Sequence, residues 1–314
     1  MNDRSQTSEL TLSIAAVERD TGLSKDTLRV WERRYGFPSP QRDGLGERAY
    51  PMEQVEKLRI VKRLLDGGHR PGRIVLLPLA GLQQLAGSTV DQALRGAQAT
   101  LDSADLQAQL TLIGNHDPQA LRNDLMRLLA RFGVARFVME VVGPLNTVVG
   151  DAWLRGQLEI FEEHAYTEIM QTVLHHAIAA IPDPALEGMP KVLLCTFPGE
   201  PHGMGLLMAQ AIMALEGCRC VSLGVQTPLW DIVLAARAHH SDIVALSFTG
   251  CMSPNQVVDG LTELRAKLPP AVQVWVGGSA PALRRRGVAG VRPFATLENV
   301  PAELRRWRPV PAND

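Results

Sequence analysis

The chain has 314 residues, of which 46% are hydrophobic and 21% charged, and its formal net charge at pH 7 is −1. This length allows two or three domains with separate cores, and the composition excludes disordered and fibrous proteins. No apolar run approaches the roughly 20 residues that a membrane helix needs, and the polar residues 1–9 do not form a secretory signal. We therefore expect a cytoplasmic protein without membrane contact.

The four cysteines include no Cys-x-x-Cys pair, which argues against a disulfide framework or a zinc site. Cys218 and Cys220 alternate in a strand-like run. Packing is their expected role, and a redox role stays open as the alternative.

The amino-terminal part is slightly basic, with 14 Lys and Arg against 11 Asp and Glu in residues 1–73. An apolar face near Val17 is followed by a break that contains Gly22, and Ser24 is a suitable N-cap for a helix over Lys25–Tyr35. Two short helices and a glycine-containing turn, with arginines on the second helix, are typical of helix-turn-helix proteins. A solvated helical hairpin is the alternative.

The segment from Leu28 to Gly36, followed by a Pro/Gly-rich loop and Arg48-Ala49-Tyr50, closely resembles the MerR family of winged helix-turn-helix regulators. The match runs from about Leu12 to Ile74, within a first domain over residues 1–75. The resemblance implies that the Lys25–Tyr35 helix enters the major groove of a double-stranded DNA operator, while the wing meets the phosphate backbone. The residues expected to contact DNA or to anchor the wing are Lys25, Thr27, Arg29, Arg33, Arg34, Arg42, Arg48 and Tyr50. Trp31 is expected in the core.

The middle of the chain reads as a linker and then a helical bundle. Pro78, Gly81 and Gly87 interrupt the pattern, which predicts a linker over residues 76–89. From residue 90 to 185 the spacing is helical, with breaks near residues 114–118, 133 and 156. We expect four or five amphipathic helices packed as a bundle.

Strand-like and helical runs alternate over residues 186–314, which predicts a doubly wound, flavodoxin-like α/β sheet. The predicted strands are Val192–Thr196, Cys220–Leu223, Ile243–Ser247, Val272–Val276 and Gly290–Phe294. The predicted helices are Met204–Leu215, Leu229–His239, Gln256–Lys267, Pro281–Arg286 and Leu297–Trp307. No Gly-x-Gly-x-x-Gly follows the first strand, so dinucleotide binding is not expected. The fold class is therefore multidomain: winged helix-turn-helix, helical bundle and α/β domain.

His202 lies in the loop that leaves the first predicted strand, at the edge where open α/β sheets bind ligands. An imidazole there can ligate a metal, and Glu200 can accept a hydrogen bond from the other ring nitrogen. An ordinary loop histidine is the alternative. Gly203 and Gly205 allow a ligand or backbone to approach closely.

The spacing Glu200-x-His202-x-x-Gly205, together with serines and glycines at the ends of later strands, resembles the cobalamin-binding domain family. The family motif has Asp where this chain has Glu200. The resemblance implies that His202 replaces the benzimidazole of the cofactor as lower ligand to cobalt, with the nucleotide tail in a groove between strands. The residues it assigns to the cofactor on this side are Glu200, His202, Gly205, Ser222, Gly224, Ser247, Gly250, Gly277 and Gly278.

In the helical region, Trp153 and the pair Glu163-His164 resemble the cap of the light-sensing MerR-cobalamin regulators, the CarH/LitR group. Read without that resemblance, Trp153 is a core aromatic and Glu163-His164 begins a helix. The resemblance implies that Trp153 covers the upper, adenosyl face of the corrin and that Glu163 and His164 contact the adenosyl group or its surroundings. That group has His directly after the Trp, where this chain has Leu154.

The leading hypothesis is a cobalamin-dependent, light-responsive transcriptional regulator without enzyme activity, which binds adenosylcobalamin and DNA and acts through a homo-oligomer, a dimer or a tetramer. The first alternative is a sensor without photochemistry, for cobalamin, for haem or another tetrapyrrole, or for an antirepressor protein. The second alternative is a corrinoid carrier of methyl groups, against which the MerR-like amino end argues.

Overall fold

A computed structural model describes residues 11–66, 69–82, 84–85, 103–182, 190–285 and 287–307. The chain divides into two compact units. One contains residues 1–92 with 154–156, and the other contains residues 93–153 with 157–314. Among the described residues, no helix is both long and apolar enough to cross a membrane.

The first unit is a small three-stranded antiparallel sheet with helices. Its strands are β1 (Thr11–Ser13), β2 (Gln41–Arg42) and β3 (Arg48–Pro51), in the order β1-β3-β2. Its helices are α1 (Ile14–Thr21), α2 (Lys25–Tyr35), α3 (Met52–Asp66) and α4 (Pro71–Ile74). Helix α2 has the predicted bounds, because the Ser24 hydroxyl accepts a hydrogen bond from Thr27 N (3.1 Å) and Gly36 ends the helix with a left-handed φ of 68°.

The predicted linker is wrong over its described residues, 76–82 and 84–85. Leu82 is fully buried in the core of the first unit, and Leu77 and Leu85 pack against that core. The breaks that suggested a linker, such as Pro78 and Gly81, lie within or beside short helical turns, and residues 79–82 are helical. Residues 86–89 of the predicted linker lie outside the described residues.

The second unit begins with the predicted helical bundle, of which residues 103–182 are described, all but residues 154–156 being part of this unit. Its four helices are α5 (Ser103–Gly114), α6 (Pro118–Arg136), α7 (Gly143–Leu154) and α8 (Ile160–Ala179), and a π-helical segment, Phe137–Val142, connects α6 to α7. The three predicted breaks are confirmed. Asp117 caps α6, and Gly133 and Gly156 both adopt a φ of 71° that ends regular helix geometry.

The rest of the unit is a parallel sheet of five strands in the order β5-β4-β6-β7-β8, which is the flavodoxin-like order. The strands are β4 (Lys191–Cys195), β5 (Arg219–Gly224), β6 (Ile243–Phe248), β7 (Gln273–Gly278) and β8 (Val291–Pro293). The helices are α9 (Met204–Leu215), α10 (Leu229–Ala238), α11 (Pro254–Lys267), α12 (Pro281–Arg285) and α13 (Asn299–Trp307). All five strand predictions are confirmed to within two residues at each end.

The bundle and the sheet share one apolar core, so they form a single unit. This core contains bundle residues such as Val142 and Leu174, helix α9 through Ile212, and one face of the sheet through Ala245 and Trp275. Helices α10 and α11 cover the opposite face of the sheet. The shared core holds the bundle beside α9, the helix that begins two residues after His202.

Candidate functional site

The loop between β4 and α9 buries a carboxylate and presents an imidazole. The Thr196 hydroxyl donates to the carbonyl oxygen of Glu200 (2.6 Å), and Glu200 N donates to the carbonyl oxygen of Phe197 (3.0 Å). These bonds close a tight loop in which Gly199 has a φ of 87°. The Glu200 side chain is 0% exposed, whereas the His202 side chain is 50% exposed. The loop therefore directs Glu200 inward and leaves His202 at the surface of the sheet edge.

The Glu200 carboxylate is surrounded by hydrogen-bond donors. His202 Nδ1 lies 2.7 Å from Oε1, His202 N donates to Oε1 (3.2 Å) and Thr249 N donates to Oε2 (2.6 Å). The Thr249 hydroxyl lies 3.0 and 2.9 Å from the two carboxylate oxygens. A buried carboxylate has to be satisfied in this way, and the satisfied carboxylate fixes the ring of His202. Because Nδ1 is held by the carboxylate, Nε2 is the ring nitrogen left for a metal.

Glu200 and His202 each stabilise the charged form of the other. Burial by itself would raise the pKa of the Glu200 carboxyl, but hydrogen bonds from His202 and Thr249 lower that pKa to about 2. The Cys251 side chain and the Glu200 carboxylate raise the pKa of His202 to about 10, against the opposing effect of burial. The carboxylate therefore stays ionised at neutral pH and orients the imidazole electrostatically as well as sterically.

The glycines near the neighbouring strand ends are of two kinds, two packed closely against the protein and two beside open space. A Cβ at Gly205 would lie 2.8 Å from the Ser247 hydroxyl oxygen, and a Cβ at Gly278 would overlap the Phe248 carbonyl oxygen. Ser247 lies opposite Gly277 in the β6–β7 register. A Cβ at Gly277 or at Gly224 would meet nothing within 4 Å, so both border open space. The remaining predicted residues of this side are Ser222, whose hydroxyl accepts a hydrogen bond from Gly224 N (3.3 Å), and Gly250, which is partly exposed after β6.

These features fit a corrinoid with histidine as the lower ligand. The half-exposed imidazole has a fixed orientation, and Gly224 and Gly277 border open space at the ends of strands in the same sheet. Thr249 was missed as a functional residue by the sequence reasoning, although it holds Glu200 with both its N–H and its hydroxyl. Its position directly after a buried strand was the available signal, since the carboxyl ends of parallel strands meet at one edge.

The residues predicted to contact the upper face of the corrin lie on the helical bundle. Trp153 is partly buried at the end of α7 and packs against the shared core. Glu163 and His164 stand in the first turns of α8, where Glu163 accepts a hydrogen bond from the Thr167 hydroxyl (2.8 Å). His164 is 71% exposed, and its Nδ1 donates to the carbonyl oxygen of Ile160 (2.8 Å). The side chains of Glu163 and His164 are therefore reachable from solvent.

A polar link joins the bundle to α9. The Tyr166 hydroxyl on α8 donates to Asn146 Oδ1 on α7 (2.5 Å), and Asn146 Nδ2 lies 3.8 Å from the Met208 sulfur on α9. Tyr166 is 2% exposed. The link connects the helix that carries Glu163 and His164 to the helix that follows His202, and the sequence reasoning did not find it.

The first unit presents an arginine-rich helix face. On α2, Leu28 and Trp31 are buried, as predicted for Trp31, while Arg29, Arg33 and Arg34 are exposed. Arg29 is 3.3 Å from Asp26 in an exposed ion pair, which holds the side chain weakly. Lys25 lies 3.6 Å from Glu18, and Thr27 N donates to the capping Ser24. The exposed face is suited to the edge of a nucleic-acid groove.

Two of the residues predicted to contact DNA or to anchor the wing, Arg48 and Tyr50, are held by contacts within the first unit. Tyr50 is 0% exposed in the core of the first unit, so its side chain cannot reach a phosphate from this position. Arg48 Nε donates to Glu32 Oε2 (2.9 Å), which ties the wing to α2 and raises the pKa of Arg48 chiefly through this hydrogen bond. Arg42 lies on the exposed wing, where its guanidinium donates to the carbonyl oxygen of Gly46 (2.8 Å). Arg42 therefore fits the predicted phosphate contact, and Arg48 and Tyr50 anchor the wing.

Together, the folds and sites define a DNA-binding regulator joined to a corrinoid-binding unit. Residues 12–77 match the MerR HTH family regulatory protein model, and residues 106–178 match the B12 binding domain model. The chain is 33% identical over 276 residues to the HTH-type transcriptional repressor CarH of Myxococcus xanthus, covering 87% of this chain and 90% of that protein. It is 31% identical over 279 residues to the repressor CarA of the same organism, covering 86% and 87%.

The chain therefore belongs to the family of MerR-type transcriptional regulators that carry a B12-binding domain. Among solved structures, the monomethylamine corrinoid protein of Methanosarcina barkeri matches with a TM-score of 0.52 and 15% identity, covering 63% of this chain and 96% of that one. This likeness shows a shared fold alone. The prediction of a MerR-type transcriptional regulator with a B12-binding domain is confirmed by the two family models and the two relatives.

Proposed function

We propose that the protein is a transcriptional repressor whose binding to DNA is controlled by adenosylcobalamin, with His202 as lower ligand to cobalt. The observation that carries the proposal is the buried Glu200 carboxylate 2.7 Å from His202 Nδ1, at the carboxyl edge of a flavodoxin-like sheet. Both relatives are named as repressors, which supports repression over activation.

The lower side would bind the cofactor through a preset histidine. Hydrogen bonding to Glu200 keeps a proton on Nδ1, so Nε2 is the nitrogen that would give up its proton to solvent and offer its lone pair to cobalt. Gly277, where an added Cβ would meet nothing within 4 Å, would border the groove for the nucleotide tail, which would run past Gly205 and Gly278. Ser247, which is 8% exposed beside Gly205, would contact that tail through its hydroxyl.

The upper side would recognise the adenosyl group. Trp153 would cover the corrin, and Glu163 and His164 would offer polar contacts, since both side chains reach solvent. When bound, adenosylcobalamin supplies a cobalt–carbon bond that light can break. Loss of the adenosyl group would remove its contacts with Glu163 and His164 on α8. The link from Tyr166 through Asn146 to Met208 would carry that loss to α9.

DNA binding would follow from oligomerisation. Winged helix-turn-helix modules read operators as pairs, and several arms on one oligomer bind far more tightly than one arm. We infer that the adenosylcobalamin-bound chain forms a dimer or tetramer in the dark and binds its operator through Arg29, Arg33 and Arg34. Light would dissolve that oligomer and release the DNA.

A second function is favoured by one residue. Leu154 stands directly after Trp153, where the light-sensing group has a histidine, and leucine cannot ligate a metal. A chain that lacks this ligand is suited to sensing the level of cobalamin, or of haem or another tetrapyrrole, without photochemistry. An antirepressor protein could then release the repressor from DNA, as light does in the first proposal.

The test is an absorption spectrum with size-exclusion chromatography, on apo protein mixed with adenosylcobalamin in the dark and again after green light. A bound spectrum with light-dependent changes in spectrum and size supports the repressor controlled by light. Binding without a change of size under light supports the level sensor. Absence of binding contradicts both cobalamin proposals, and haem is then the next ligand to add.

A further inference from the structure

A cysteine lies beside the proposed lower ligand. Ligand atoms of Glu200, His202 and Cys251 all lie within 4.8 Å of one another. The Thr249 hydroxyl stands between them, 3.3 Å from the Cys251 sulfur and 3.2 Å from His202 Nδ1. Cys251 is partly exposed in the loop after β6, so solvent ions can reach it.

The cluster combines a thiol, an imidazole and a carboxylate, which is a donor set that suits zinc-like cations. Tetrahedral ligands at about 2.0–2.3 Å from Zn²⁺ stand roughly 3.3–3.6 Å apart. The nearest pair here is 2.7 Å apart and the widest pair lies within 4.8 Å, so small movements are enough. His202 is half-exposed and can make them, while Thr249 N continues to hold the carboxylate as an outer-shell partner.

We propose that Glu200, His202 and Cys251 bind a soft divalent cation of the Zn²⁺ or Cd²⁺ type when cobalamin is absent, and that this cation opposes cobalamin binding. The metal site itself is independent of the proposed function, whereas the antagonism rests on His202 being the cobalt ligand. A water molecule completes the fourth position.

The antagonism follows from the tautomer of His202. A cation on Nδ1 displaces to solvent the proton now between Nδ1 and Glu200, and the ring, now neutral, keeps its proton on Nε2. Nε2 is the nitrogen that cobalt needs, and a protonated nitrogen has no lone pair to donate. Binding also releases the proton of the Cys251 thiol to solvent, because the thiolate is the ligand. Cation and cobalamin therefore lower each other's affinity reciprocally.

The first experiment titrates metal-free, cobalamin-free protein with Cd²⁺ and records the thiolate-to-cadmium absorption together with isothermal titration calorimetry. We expect one tightly bound Cd²⁺ per chain with a charge-transfer band. Cys251→Ser should lose the band and bind Cd²⁺ at least about tenfold more weakly. The matched control is Cys220→Ser, because Cys220 packs against the shared core and burial raises the pKa of its thiol to about 12.

An unchanged band in Cys251→Ser, or no band in the wild type with excess Cd²⁺, would overturn the metal site. The second experiment measures the affinity for adenosylcobalamin with Cd²⁺ and with a chelator. We expect Cd²⁺ to weaken cobalamin binding at least about tenfold in the wild type and not in Cys251→Ser. Equal affinities with and without Cd²⁺ would overturn the antagonism. If the wild type binds no cobalamin even with chelator, the proposed function is wrong. The metal site is then still tested separately by the thiolate-to-cadmium band.

Discussion

The lower and upper sides of the proposed cofactor site are built in opposite ways. At the sheet edge, Glu200 is completely buried and accepts several hydrogen bonds, which hold the His202 ring in one orientation. On the bundle, Glu163 is 31% exposed and His164 is 71% exposed, and their hydrogen bonds stay within α8.

The physical reason for the difference is burial. A carboxylate removed from water has to be fully paired, and full pairing gives one geometry. Exposed side chains exchange their partners with water at little cost, so they can adapt to different upper groups. We therefore expect the lower side to determine whether cobalamin binds and the upper side to determine how the protein responds to the bound form.

The largest expected effect is the loss of the lower ligand. His202→Ala should weaken adenosylcobalamin binding in the dark by about 100-fold or more, because the imidazole is the proposed direct ligand to cobalt. Equilibrium dialysis and the absorption spectrum measure it. His175→Ala is a suitable control, since His175 is exposed on α8. An unchanged affinity and spectrum in His202→Ala would refute the assignment.

The next effect comes from the carboxylate that holds the ligand. Glu200→Gln keeps the shape but places an amide donor against Thr249 N or His202 Nδ1, so we expect a loss of about 10–100-fold in cobalamin affinity. Glu200→Asp restores the acid of the family motif and should lose less than Glu200→Gln. If the two variants bind equally, the charge of Glu200 does not support His202.

A smaller effect is expected at Gly205, where two variants distinguish a role in packing from a role in leaving space for the ligand. Gly205→Ala places a Cβ 2.8 Å from the Ser247 hydroxyl oxygen and should lower the free energy of unfolding by about 1–3 kcal/mol. Adding Ser247→Ala removes that oxygen, and the nearest remaining side-chain atom is then 3.9 Å away, so stability should return.

Cobalamin affinity should stay reduced in the double variant if the groove has to admit the nucleotide tail past residue 205. Thermal unfolding and ligand titration of the single and double variants measure the two quantities separately. Full recovery of affinity together with stability would show that Gly205 serves packing alone.

The smallest expected effect on dark affinity is on the upper side. Leu154→His should leave dark binding of adenosylcobalamin nearly unchanged, because the lower ligand is intact. After green light, the variant should show a stable new spectrum in which a second imidazole ligates cobalt, and the wild type should not. Leu154→Gln controls for polarity. Identical illuminated spectra of the wild type and Leu154→His would mean that position 154 does not face cobalt.

Local sequence determined most of the elements. Both ends of helix α2 were predicted correctly, because Ser24 caps its start and Gly36 ends it, each through short-range hydrogen bonds. Helix α9 was likewise predicted from its apolar run, and Glu200 and His202 were placed correctly beside each other because they are two residues apart. The sheet order followed from the alternation of strands and helices, since parallel connections have few permitted arrangements.

Tertiary structure decided what depends on burial and on distant partners. The patterns around Tyr50 and Leu82 do not show that both side chains are fully buried, and the charge of Arg48 does not show that Glu32 pairs with it. Thr249 and Cys251 join Glu200 only because two parallel strands end at the same edge, about 50 residues apart along the chain. Sequence spacing therefore identified the histidine proposed as the cobalt ligand, and the fold alone assembled the groups that surround it.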